Sequence, residues 1–114
     1  MNPLFSLFLP PQSLLLTLLN AVTGTGAGVS NTLKALFGKM TWEIVVTGDP
    51  TVVQVDLEGS INNSTWYALD SSTTLTSEMR HVVNKPVNYV RANLITLTAG
   101  TAPTVTVRFL GGGN

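Results

Sequence analysis

The sequence predicts an all-β fold: an antiparallel β-sandwich of jelly-roll-like type that carries an extended apolar N-terminal arm. Three observations predict it. Short stretches of alternating apolar and polar residues recur at 41–47, 53–59, 89–94 and 104–110. Turn signals separate the stretches, at Gly48-Asp49-Pro50, Asn62-Asn63-Ser64, Asn84-Lys85-Pro86 and Gly100–Pro103. No connection is long enough to hold a helical crossover, so the strands pair antiparallel.

The elements follow in chain order. Pro3, Pro10 and Pro11 exclude a helix over residues 1–12, because proline lacks an N–H and restricts the residue before it. Residues 1–22 read as a docking arm or first strand. Leu favours helix over Leu14–Ala21, but the context favours strand. Residues 23–40 read as a flexible connection. Its glycines Gly24, Gly26 and Gly28 only superficially imitate a dinucleotide fingerprint, since no strand–turn–helix context surrounds them. The core spans 41–110. Trp42, Ile44 and Val46 face in. So do Val53, Val55 and Leu57, with Gln54, Asp56 and Glu58 outward. Val90, Ala92 and Leu94 share one face of a third strand; Val105, Val107 and Phe109 share one face of the last. Residues 111–114 form a loose, flexible tail.

With 114 residues the chain is one domain, and it contains no Cys. Disulfides and thiolate metal sites are excluded together, in keeping with assembly in a reducing cytoplasm. Charged residues are 11% of the chain and the net charge is zero, against roughly 25% charged in a typical soluble domain. Mean hydropathy is +0.31. So few charges protect a monomer poorly from association, which implies a surface covered by partners. Zero net charge argues against nucleic acid, which needs clustered Lys and Arg. No Lys or Arg precedes Lys34, and Leu14–Leu19 is too short to span a bilayer, so neither signal nor membrane anchor is expected. The six acids lie mid-chain between flanking bases. Such blocks can make complementary faces for head-to-tail contact between copies, and cross-strand ion pairs inside one domain account for the same order.

The residues reveal no catalytic, cofactor or metal site. His81 has no second His for a metal and no nucleophile with a local signature. Asp56 and Glu58 point to one side of a strand and read as solvated. Asp70, Ser71 and Glu78 lack the oxygen-ligand spacing of a Ca²⁺ loop. Trp66-Tyr67 follows a polar turn; Trp66 is expected in the core and Tyr67 outward, where its ring can stack on a sugar. The arm offers Leu4, Phe5, Leu7, Phe8, Leu9, Leu14, Leu16 and Leu18 as partner-docking residues, since an uncharged apolar surface this large is rarely left in water.

Two segments carry a family resemblance. One is Thr47–Ser60, ending in Val55-Asp56-Leu57-Glu58-Gly59-Ser60, with the Trp66-Tyr67-Ala68-Leu69 that follows it. The other is Pro86–Leu94, with Val90-Arg91-Ala92-Asn93-Leu94, taken with the terminal Val105–Phe109. Together they resemble small all-β virion proteins of tailed bacteriophages. The resemblance implies a non-enzymatic structural protein of the virion, assembled in the host cytoplasm. Its role would be capsid cement or decoration, or a place in the tail or connector. Its partners would be copies of itself and the major capsid protein or another virion protein. Some sugar-binding sandwich modules share the hairpin, although they often carry Asp-Gly where this chain has Asn62-Asn63. A carbohydrate-binding module for host attachment is therefore the second reading.

Overall fold

The computed structural model describes residues 13–112. Nine strands build two packed antiparallel sheets: β1 Leu14–Val22, β2 Gly26–Ala27, β3 Asn31–Thr32, β4 Lys39–Thr47, β5 Val52–Ser60, β6 Tyr67–Ser72, β7 Ser77–Val83, β8 Tyr89–Thr98 and β9 Thr104–Gly112. One sheet has the order β1-β9-β4-β7. The other has the order β2-β8-β5-β6, with β3 also paired to β8. Taking β2 and β3 as one interrupted edge strand, the orders become 1-8-3-6 and 2-7-4-5, the connectivity of a jelly roll. The antiparallel β-sandwich expected from the alternating stretches is the observed fold.

Alternation sets the core. Trp42, Ile44, Val55, Leu57, Val90, Ala92, Val105, Val107 and Phe109 are all fully buried between the sheets. Each faces inward because its strand neighbours face out, and the period of a strand is two. Gly48, in the turn between β4 and β5, has φ +86°, and a Cβ there would lie 2.6 Å from Thr101 O. Only glycine fits that left-handed, crowded position.

The structure differs from the sequence expectation in four places. First, of the two readings of residues 1–22, docking arm or first strand, Leu14–Val22 takes the strand: it is an edge strand of this domain, paired with β9 from Leu14↔Gly111 to Val22↔Val105. Leu14 and Leu16 pack against the core, and Leu18 is buried in it. They are therefore corrected from docking residues to packing residues. A bulge between Thr17 and Leu19 turns Leu18 and Leu19 inward together. Second, residues 23–40 are not a bare connection. β2 and β3 pair with β8, and Leu33 and Phe37 plug the core. Third, Gly111 and Gly112 belong to β9 and pair with Met40 and Lys39. Fourth, Trp66 is half-buried on the outer face of the five-stranded sheet, outside the core. The docking residues Leu4, Phe5, Leu7, Phe8 and Leu9 lie outside the described residues.

Candidate functional site

Among the described residues, two clusters of charged and polar side chains tie strands together. The first closes the β6–β7 side of the sandwich. Arg80 on β7 clamps Asp70 on β6 through Nε at 2.8 Å and Nη2 at 3.1 Å. The buried indole of Trp42 donates to the same carboxylate at 2.9 Å. Burial works to raise the Asp70 pKa. Hydrogen bonds from Arg80, Trp42 and the Ser71 backbone, with the Arg80 charge, outweigh it and hold the carboxyl below its ordinary value. Ser72, itself buried, donates to Glu78 at 2.6 Å across the same seam. Asp70 and Glu78, considered from sequence for a cation loop, are thus both engaged by Arg80.

The second cluster lies on the outer face of the five-stranded sheet. Glu58 accepts from Arg91 at 2.7 Å and from Asn93 at 3.1 Å. The Arg91 guanidinium sits 4.2 Å above the Trp66 ring. Asp56 accepts from Ser71 and Gln54. The paired carboxylates expected to be solvated are instead tied into the sheet. Each of these carboxylates is held by its hydrogen-bond partners on the sheet. His81 lies exposed on β7 with Nδ1 3.0 Å from the Thr41 hydroxyl. Among the described residues, no three His, Asp or Glu gather in metal-binding geometry. No helix among them is long and apolar enough to cross a membrane.

The concave feature is at one end of the sandwich. Tyr67 pairs with Gly59, so both face the side that carries Leu57 inward. A cleft of about 410 Å³ opens there. Leu69 and Val87 form its floor, with Tyr67, Ile61 and Asn62 around it. Tyr67 is 69% exposed and Ile61 74%. A Cβ on Gly59 would come within 2.8 Å of both Leu69 and Val87, so glycine lets those two side chains pack down onto the strand as the floor. Asn62 Oδ1 accepts from the Ser64 and Thr65 backbone N–H groups, which fixes the rim. Among the described residues, no charged side chain lines the cleft. Leu36 and Pro86 continue its apolar surface around the shared residues Ile61 and Val87. A shallower groove of about 180 Å³ crosses the outer face of the four-stranded sheet, beside Leu15, Met79 and Leu110. The Glu43–Arg108 ion pair spans its middle.

Of the candidate site residues among those described, Tyr67 lines the cleft; it is exposed as expected, although the β5–β6 bulge puts it on the strand face that carries Leu57 inward. Gly59, Ser60, Leu69 and Val87 fall in the segments that carry the family resemblance, and no sequence period marks them as a cleft.

No protein-family model matches the chain. No curated protein matches it in sequence either. Solved structures do match its fold. The SPBc2 prophage-derived protein YomS superposes with a TM-score of 0.67 at 15% identity, over 92% of this chain and 96% of that one. The PBSX exported protein XepA gives 0.56 at 14% identity over 90% of this chain, which spans 38% of XepA. CBM32-3, from a family 31 glycoside hydrolase of Clostridium perfringens, gives 0.52 at 9% identity over 81% and 72% of the two chains. At these identities the likeness is one of fold.

Proposed function

We propose that the chain is a structural protein of a tailed-bacteriophage particle, a capsid cement or decoration protein that stabilises the particle through subunit contacts. One observation carries the reading most: the sandwich is coextensive with a prophage-derived protein, covering 92% of one chain and 96% of the other. The surface supports it. Leu15, Ile61, Tyr67 and Met79 are each more than 60% exposed on a chain with 11% charged residues. Apolar surface on so charge-poor a domain is the surface of a subunit that is covered in use. The described polar clusters are engaged in holding strands together, so the role needs no catalysis.

The test is the protein content of particles. Particles purified by density gradient from the strain that encodes the chain should contain it in many copies by quantitative mass spectrometry. Abundant chain in the lysate with none in the particles would overturn the reading.

A second reading is carbohydrate binding for host attachment. The exposed Tyr67 ring beside the cleft, on a fold shared with CBM32-3, favours it. A glycan array with the purified chain, repeated with Tyr67→Ala, tests it. Specific hits lost in the variant would support sugar binding; a blank array would remove it.

A further inference from the structure

We infer that the end cleft beside Tyr67 receives the Pro3–Leu9 segment of a second copy of this chain, linking subunits arm to cleft. The inference rests on the particle-protein reading for its purpose, but its evidence and its test concern the chain alone.

Chemistry matches first. The described lining of the cleft includes Gly59, Ile61, Asn62, Tyr67, Leu69 and Val87, with no charge. Pro3–Leu9 reads Pro-Leu-Phe-Ser-Leu-Phe-Leu, also with no charge. A charged peptide would lose hydration in this cleft without gaining a partner, whereas Leu and Phe lose nothing. The cleft's polar groups sit at the rim, where Asn62 Oδ1 accepts from the Ser64 and Thr65 N–H groups. An open aromatic ring next to an apolar floor is a surface on which extended, proline-containing segments dock.

Placement agrees. β1 starts at Leu14, paired with Gly111, and Gly111 and Gly112 pair in turn with Met40 and Lys39. Lys39 pairs with Val83, and the chain then turns through residues 84–88 to Tyr89, opposite Ser60. The chain therefore enters β1 at the same end of the sandwich as the cleft. It enters at the far edge, however, since β1 and β7 are the opposite edges of one sheet and β7 lies beside β6, joined to it by Arg80 and Asp70. Pro10-Pro11 fixes two φ angles near −65°, so only Gln12 and Ser13 remain to reverse the chain toward its own cleft. A neighbour's cleft requires no reversal. Seven extended residues reach roughly 23 Å, enough to cross a subunit boundary and fill the cleft.

The test uses the full chain with a photo-crosslinking benzoylphenylalanine in place of Phe5, mixed as equal amounts of ¹⁴N and ¹⁵N copies. The expected product is a crosslink between residue 5 and peptides containing 59–69 or 87, with mixed-isotope pairs in the statistical proportion. Ile61→Asp, at an exposed rim position, should reduce that crosslink about tenfold or more by setting a charge against the apolar segment. Leu110→Asp, on the outer face of the other sheet, should leave it unchanged. Single-isotope pairs only would mean the segment fills its own cleft and would overturn the inference. So would crosslinks to peptides containing Leu15, Met79 or Leu110, absence of any crosslink, or glycan hits lost in Tyr67→Ala. A chain absent from particles that still gave the mixed-isotope crosslink would defeat the particle reading and leave this one standing.

Discussion

Asp70→Ala tests how the two sheets are held together at the β6–β7 side. The carboxylate accepts from the Trp42 indole at 2.9 Å and from two Arg80 nitrogens. Trp42 is fully buried, so its N–H has no water to turn to when Asp70 is lost. An orphaned buried donor costs about 1–3 kcal/mol. The Arg80 side chain is 36% exposed, so its lost ion pair adds only about 0–1 kcal/mol. The sum is about 1–4 kcal/mol, read by urea unfolding followed by circular dichroism, or as a fall in Tm of about 4–20 °C. Trp42→Phe removes the donor itself. The double variant should therefore lose less than the sum of the singles, with a coupling of about 1–2 kcal/mol. The loss should also depend on pH. The Asp70 pKa is lower in the folded chain, so its stabilisation is complete above the unfolded carboxylate pKa of about 3.9 and disappears as pH falls through the folded value. The wild type and Asp70→Ala should thus converge in acid. Additivity within about 0.5 kcal/mol, or a difference unchanged between pH 7 and pH 3, would show that the Asp70 carboxylate does not hold Trp42 in this way.

Further outcomes follow from the same structure. Leu57→Ala, in a fully buried site, should destabilise by about 2–5 kcal/mol in the same assay; an unmoved midpoint would mean the register is wrong by one residue. Gly48→Ala, at φ +86° with Thr101 O in the way, should destabilise by about 1–3 kcal/mol, whereas Gly24→Ala, with open space around it, should change little. Glu58→Gln should weaken the Arg91 clamp over Trp66, lowering stability by about 1 kcal/mol and shifting tryptophan emission; an identical spectrum would mean Arg91 holds its place without Glu58.

The sandwich is legible in the sequence because its central strands bury one face only. In β5, Val53, Val55 and Leu57 alternate with Gln54, Asp56 and Glu58, and the burial follows residue by residue. The first strand is less legible because Leu14–Leu19 has little polar alternation, and a bulge breaks the period at Leu18 and Leu19. β2 and β3 are two residues each, too short for any period to show; only their pairing with β8 makes them strands. Trp66 lies outside the core, against expectation, because the β5–β6 irregularity at Leu69 shifts the face of everything before it. Asp56 and Glu58 read as solvated because their partners Ser71, Arg91 and Asn93 are 15 to 35 residues away. The cleft is hidden for the same reason. Its walls come from β5, β6 and the turn after β7, and no sequence period joins Gly59, Tyr67 and Val87.

Assembly of this domain through its uncharged N-terminal residues is open to one direct measurement. Deleting residues 2–12 keeps every described strand, since β1 starts at Leu14. Sedimentation velocity over a range of concentrations compares the full chain with the deletion, after circular dichroism has established that both are folded. The full chain should form concentration-dependent oligomers and the deletion a folded monomer. Equal assembly by the two proteins, or a full chain that stays monomeric throughout, would mean that the N-terminal residues do not join subunits.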